Sequence, residues 1–447
     1  MLLINNDNDE IRNVEKKTFK LHVISQVFNG LSVGIVLLQD IILKKSLGGT
    51  DFQIMLLSLF TSSAFLASIY GAEFINRSDN PPRLIIKMGI AAKFFLLLIP
   101  IFNNSVFFIV CISITAYLDS MMLSSWNIVF KHNYTDANRN KLYSYATSVS
   151  TSILLVSSTI FGVLLDNDNF IYRLIFPLSG IAGMFMYYNL SKMIGLSLVK
   201  YPKVEQSANN FSFKLFKDIL ILPVRNTKRI FKKNKPFFRF EIYFFLYGMA
   251  FMVILPAIPV YAVDVLNLGY TPISIARGLI FQSLLIIFMP LMGRLHGTGN
   301  PTKFCGYSFI LLAFYPLIFM SAQFPVFANF FPDKIYIVYA AFVVFGIGMS
   351  AISISWTLGS IFYAPPFEVS NYQAVHITLT GLRGLFSPAI GYMVMKMFSV
   401  NYTFILSAFL FFTGGILMLL DTRLFYVRQN SIYKETVPRH SKDAAQL

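Results

Sequence analysis

The sequence predicts an all-α integral membrane protein, with twelve transmembrane helices arranged as two pseudo-symmetric six-helix bundles. Three observations carry that reading. The 447-residue chain is 55% hydrophobic and only 13% charged, whereas soluble domains run near ~25% charged. Its apolar residues gather into stretches of roughly 20, the length that crosses a hydrocarbon core. Short signatures in the first half recur in the second at half-chain spacing. The same apolar content excludes a disordered chain.

The stretches lie near 20–43, 52–75, 84–102, 105–130, 142–165, 171–191, 239–263, 271–293, 304–322, 335–363, 373–395 and 400–421. Short polar breaks separate them, except for the long basic gap from 192 to 238. The expected organisation is a cytoplasmic N-terminal segment (1–19), a six-helix bundle (20–191), a basic cytoplasmic linker (192–238), a second bundle (239–421) and a cytoplasmic tail (422–447). Asp7, Asp9, Glu10, Glu15, Lys16 and Lys17 near the start are incompatible with a signal peptide, so the first apolar stretch is expected to stay as a spanning helix.

The net charge is +16. Such a balance on a soluble protein would point to nucleic acid. On an apolar chain it reports orientation, because Lys and Arg collect in cytoplasmic loops. With the N-terminus inside, 29 basic residues fall on the inner side and 5 on the outer, and the segment from Lys192 to Arg239 alone holds twelve. No nucleic-acid partner is expected. Both termini and the linker are expected in the cytoplasm, in a bacterial inner membrane, with an anionic inner leaflet as the linker's neighbour. Only Lys93, Arg277 and Arg383 fall inside spans.

Before the second stretch the chain reads Leu47-Gly48-Gly49-Thr50, and before the eighth Leu268-Gly269-Tyr270-Thr271. After them come Gly71…Asn80-Pro81-Pro82-Arg83 and Gly293-Arg294…Asn300-Pro301-Thr302-Lys303. The chain's two tryptophans each follow a serine near the inner end of an even-numbered stretch, as Ser125-Trp126 and Ser355-Trp356. Matches in order at this spacing indicate duplication, and two repeats are how carriers place a site between halves.

These features together resemble the major facilitator superfamily, over residues 20–421. That family's loop motif runs roughly Gly-x-x-x-Asp-Arg-x-Gly-Arg-Arg/Lys. Here Gly71 supplies the glycine and Arg77 a basic residue, while Ile75 stands in place of the acid. In the second copy Gly297 stands there. The resemblance implies alternating-access transport, with gating loops at Gly71, Arg77, Asn80 and Arg83 and at Gly293, Arg294, Asn300 and Lys303. It leaves Glu73, Asp79 or a helix N-terminus to replace the missing acid. It implies no substrate class.

Ionisable groups inside a membrane are expensive, and so mark function or pairing. His376, Thr380, Arg383 and Ser387 fall at steps of four, three and four, which places them on one helix face. Arg383 reads either as the site for an anionic substrate group or a switching counter-ion, or as half of a static ion pair. Asp119 lies mid-span, where the second half carries Met349. It reads either as a proton- or sodium-coupling acid or as a partner for Lys93. Gln26, Asn29 and Asp40 share a face of the first stretch, where amides bind substrate or join helices. Arg277 reads as a snorkelling residue or as part of an outer gate. Trp126 and Trp356 read as interfacial anchors or as cavity aromatics.

The linker segment 211–220 has apolar and lysine faces, as an amphipathic helix on an anionic leaflet would. Cys111 and Cys305 have no ligand-like spacing, so neither disulfide nor metal site is expected. HExxH and phosphate-loop motifs are absent from the sequence, and the GxSxG match at Gly30-Leu31-Ser32-Val33-Gly34 lies inside an apolar stretch and not at the strand-to-helix turn of a nucleophile elbow, which argues against an enzyme or an ATP-driven pump. The expectation is therefore a monomeric secondary transporter for a small solute, coupled to protons or sodium and using no cofactor. The alternatives are a non-transporting receptor or scaffold and, behind it, a membrane-embedded enzyme.

Overall fold

A computed structural model describes residues 2–76, 78–197, 225, 227–298, 300–324, 333–365 and 368–436. Arg77 and the linker segment 211–220 lie outside them, as do the side chains of Glu73 and Gly297. The described residues are helical with no strand. In order they are α1 Leu2–Val36, α2 Gln39–Lys45, α3 Asp51–Ser63, α4 Ala67–Asn76, α5 Pro81–Leu98, α6 Ser105–Met121, α7 Leu123–His132, α8 Asp136–Asn167 and α9 Tyr172–Gly195. The second half has α10 Lys235–Val253, α11 Ala257–Val260, α12 Tyr270–Ser274, α13 Phe281–Thr298, α14 Pro301–Ser321, α15 Lys334–Tyr363, α16 Val369–Gly384, α17 Ser387–Met397 and α18 Val400–Thr436.

Among the described residues nine helices are long and apolar enough to cross a membrane. The other three expected spans are helical as well, on α3–α4, α9 and α16–α17. Several expected helices are interrupted. The first breaks at Leu37–Leu38, the fourth at Met122, and the eleventh at Leu385–Phe386. The last break precedes Pro388, which cannot donate an N–H to the preceding turn. The eighth carries a π-helical turn over Ile275–Ile280, with Arg277 inside it.

The repeated Asn-Pro signatures are helix starts. Asn80 accepts a hydrogen bond from the Arg83 N–H, with Pro81 opening α5. Asn300 accepts from the Thr302 N–H, with Pro301 opening α14. A capping amide followed by proline satisfies one orphan donor and removes another. The other signature has diverged. Thr50 and Gln53 form a capping box at α3. At α12 the cap comes from Asp166, whose carboxylate accepts from the Tyr270 and Thr271 N–H groups at 2.7 Å each.

α1, α5, α6, α8 and α9 pack mainly with one another, and so do α10, α14, α15 and α18. The two sets meet along two seams, α8 against residues 270–280 and α3–α4 against α16. The seams are close: a β-carbon on Gly162 would lie 2.0 Å from Ser274 Oγ, and one on Gly384 would lie 2.6 Å from Ser62 O.

Candidate functional site

α16 and α10 run side by side with their ionisable residues facing each other. His376 Nδ1 lies 3.0 Å from both carboxylate oxygens of Glu241. The two side chains are 1% and 2% exposed, so this is a pair shielded from water on all sides. The imidazole is wedged between Phe244, at 4.8 Å, and Trp356, at 5.7 Å between ring centroids. Burial requires that such groups be hydrogen-bonded, yet His376 Nε2 has no hydrogen-bond partner among the described residues.

Two turns further, Arg383 is 4% exposed. Its guanidinium donates to Phe244 O at 2.9 Å and to Thr380 Oγ1 at 3.2 Å, and lies over the Tyr247 ring at 6.0 Å. Thr380 in turn donates to His376 O at 3.1 Å. No carboxylate among the described residues lies within ion-pair distance of Arg383, and its Nε has no partner. Among the described residues Arg383 is thus held by a backbone carbonyl and a hydroxyl and not by a static ion pair.

Space for the guanidinium comes from Gly248, where an added β-carbon would lie 1.9 Å from Arg383 Cζ. Gly248→Ala should force Arg383 out of its seat, at about 1–3 kcal/mol for overpacking. Thermal unfolding in detergent measures this. In an Arg383→Ala background the same change should cost less than it does in the parent, because its clash is gone.

The first half has its own polar track. Asn29 Nδ2 donates to Ser150 Oγ at 3.0 Å and to Gln26 Oε1 at 3.3 Å. Gln26 meets His22 Nε2 at 3.2 Å, and His22 Nδ1 meets Tyr134 Oη at 2.9 Å. The His22 ring is 5.5 Å from Trp126. Each tryptophan thus packs against an imidazole within its own half and is partly buried.

Asp119 does not join the Arg383 cluster. Lys93 Nζ donates to it at 2.6 Å and Tyr187 Oη at 2.8 Å. Of the two readings open for Asp119, the geometry displays the Lys93 partner.

Arg277 does not snorkel. It holds Asp40 with both terminal nitrogens, at 2.6 and 2.8 Å, and also donates to Leu37 O at 2.8 Å. The pair joins the two halves at the end expected outside. Beside it Lys44 binds Asp51 at 2.9 Å and Asp264 at 2.7 Å, and Lys396 binds Asp51 at 2.7 Å. That contact raises the Lys396 ammonium above the ordinary lysine range. Asp166 adds its cap on α12. Among the described residues, polar links through Asp40, Lys44, Asp51, Asp166 and the Ser46–Tyr270 hydroxyl pair cross between the halves on this side.

The loop residues divide by role. Asn80 and Asn300 cap helices, and Arg83 is exposed. Gly71 is a crossing point, since a β-carbon there would lie 1.7 Å from Met121 O, at the break between α6 and α7. Its counterpart Gly293 makes only ordinary contact, at 3.7 Å from Ile354. Arg294 is exposed, and Lys303 lies over the Tyr307 ring at 6.0 Å.

Sequence reasoning passed over Glu241 and His22. Glu241 sits two residues after Arg239, at the edge of an expected span. A lone acid inside Phe240-Glu241-Ile242-Tyr243-Phe244 was the available signal. His22 lies four residues before Gln26, on the same face.

The family model of the Major Facilitator Superfamily matches residues 23–382. No curated protein matches the chain. Among solved structures, a mutant of the nucleoside transporter NupG superposes with a TM-score of 0.66 at 11% identity, covering 91% of this chain and 99% of its own. A bacterial homologue of the human drug peptide transporters PepT1 and PepT2 gives 0.68 at 10%, covering 94% and 99%. The human organic anion transporter MFSD10 gives 0.62 at 11%, covering 90% and 99%. At these identities the likeness is one of fold.

Proposed function

The chain belongs to the Major Facilitator Superfamily, and from that premise we propose that it is a secondary transporter moving a small anionic solute together with a proton by alternating access between its halves. The observation that carries the reading is the buried Glu241–His376 pair beside an Arg383 that has no acid of its own.

Charge accounting gives the coupling. With the imidazole protonated, Glu241, His376 and Arg383 together carry one positive charge. With it neutral they carry none. An excess charge in a low-dielectric interior is costly, so the protonated cluster favours a solute that brings one negative charge, and the neutral cluster releases it. Proton and anion then load together. Arg383 is the group that receives the anion, once the helices holding Phe244 and Thr380 part enough to admit it. Gln26, Asn29 and Trp126 line the opposing half, with Trp356 behind His376. This assigns coupling to the Glu241–His376 pair in place of Asp119, whose carboxylate is held by Lys93 and Tyr187.

The bundles 20–191 and 239–421 are the two moving bodies. The links through Asp40, Lys44, Asp51 and Asp166 close the outer side, with both termini in the cytoplasm. The solved neighbours named for nucleosides, drug peptides and organic anions support a small organic solute. A thermal-shift screen of small carboxylates and phosphates in detergent identifies it, since a ligand of the folded state raises the melting point.

Proteoliposomes with an inward proton gradient then test coupling. His376→Gln should retain exchange of solute across the membrane but lose accumulation against a gradient, because the cluster can no longer gain a charge. Uphill accumulation by that variant would eliminate this coupling route.

A further inference from the structure

We propose that the protein holds an anionic phospholipid in a groove between residues 227–238 and α16, whose lining includes neither Glu241 nor His376. The groove encloses about 390 Å³. Its floor is apolar, formed by Phe231, Phe238 and Leu382, and its rim carries Lys228, Lys232 and Lys235. The three lysines fall at steps of four and three and are exposed, so all can turn toward one head group.

Where the groove continues along the helices it remains apolar and open. Ile242 is one turn beyond Phe238 and 41% exposed; Leu382 and Leu385 are 42% and 43% exposed. On a chain that spans a membrane, an exposed apolar strip of this kind faces acyl chains. The lysines lie at the strip's end in the basic 192–238 region. Apolar strip and cationic rim together match one molecule with a negative head and a hydrocarbon tail. A soluble phosphate would use only the rim, and a zwitterionic lipid would use chiefly the strip.

The test uses the purified full chain in detergent, titrated with phosphatidylglycerol or with phosphatidylcholine of the same acyl chains. Phosphatidylglycerol should raise the melting temperature by at least about 3 °C over phosphatidylcholine. Changing Lys228, Lys232 and Lys235 together to Gln should remove at least half of that difference, and changing all three to Arg should keep it. Leu382→Trp, which fills the groove, should also reduce it.

Equal shifts from the two lipids, or an undiminished response in the Gln variant, would overturn the proposal. So would an equal shift from glycerol phosphate, which would identify a soluble anion as the ligand. A lipid response that emerged only after deletion of residues 205–220 would show the chain's own linker to be the occupant and would likewise overturn it. Lipid retention by the unaltered protein in native mass spectrometry gives a reading that depends on no variant. Preferential retention of phosphatidylglycerol supports the proposal and equal retention refutes it.

Discussion

Arg277→Gln is expected to open the outer joint between the halves. The side chains of Asp40 and Arg277 are 18% and 15% exposed, and the pair is bidentate. Removing one member of such a buried pair costs about 3–5 kcal/mol, because the other charge stays behind unpaired. In a state with the outer side open both groups meet water, so the cost falls almost wholly on the closed state. A shift of about 3 kcal/mol changes the ratio of the two states by roughly two orders of magnitude.

Ser274 reports on this. It is fully buried against Gly162 in the α8 seam, and the native Cys111 and Cys305 are both buried. Ser274→Cys should react slowly with a membrane-impermeant maleimide in the parent, and at least tenfold faster with Arg277→Gln added. Asp40→Asn should act in the same direction. An unchanged labelling rate in both backgrounds would show that the pair does not hold the joint.

Arg383→Gln is expected to reduce transport at least a hundredfold while leaving a folded protein. Glutamine can still donate to Phe244 O, so the helix contact partly survives, whereas the positive charge that answers the solute does not. Arg383→Lys should also fail. The guanidinium reaches Phe244 O and Thr380 Oγ1 from two nitrogens of one plane, and an ammonium on a flexible stem lacks that fork. Solute uptake in proteoliposomes and the melting temperature are to be measured together. Normal uptake with a lowered melting temperature would make Arg383 a structural residue and remove it from the site.

The helix face carrying His376, Thr380 and Arg383 was legible in the sequence because helical spacing is a local property. The apolar stretches were legible for the same reason, and among the described residues nine helices are long and apolar enough to cross a membrane. Breaks were only partly legible. Pro388 announces the end of α16, but the interruption at Met122 has no proline or glycine beside it and lies where Gly71 presses on Met121.

Partners were the least legible part. Asp40 and Arg277 were each singled out, yet they are 237 positions apart, and nothing local couples them. Asp166 carries no local signal and caps a helix of the other half. Glu241 carries little more, because what stands opposite it is set by helix packing.

The sequence by itself determined that this chain crosses membranes and which charges sit too deep to be incidental. Hydrophobic length, repeat spacing and the segregation of basic residues are all written along one dimension. Only the tertiary structure decided which of those deep charges are matched. Lys93 has Asp119, Arg277 has Asp40, and Arg383 has backbone and hydroxyl oxygens but, among the described residues, no acid. A charge's energy depends on what lies within a few ångströms of it, and helix packing brings those neighbours from far along the chain.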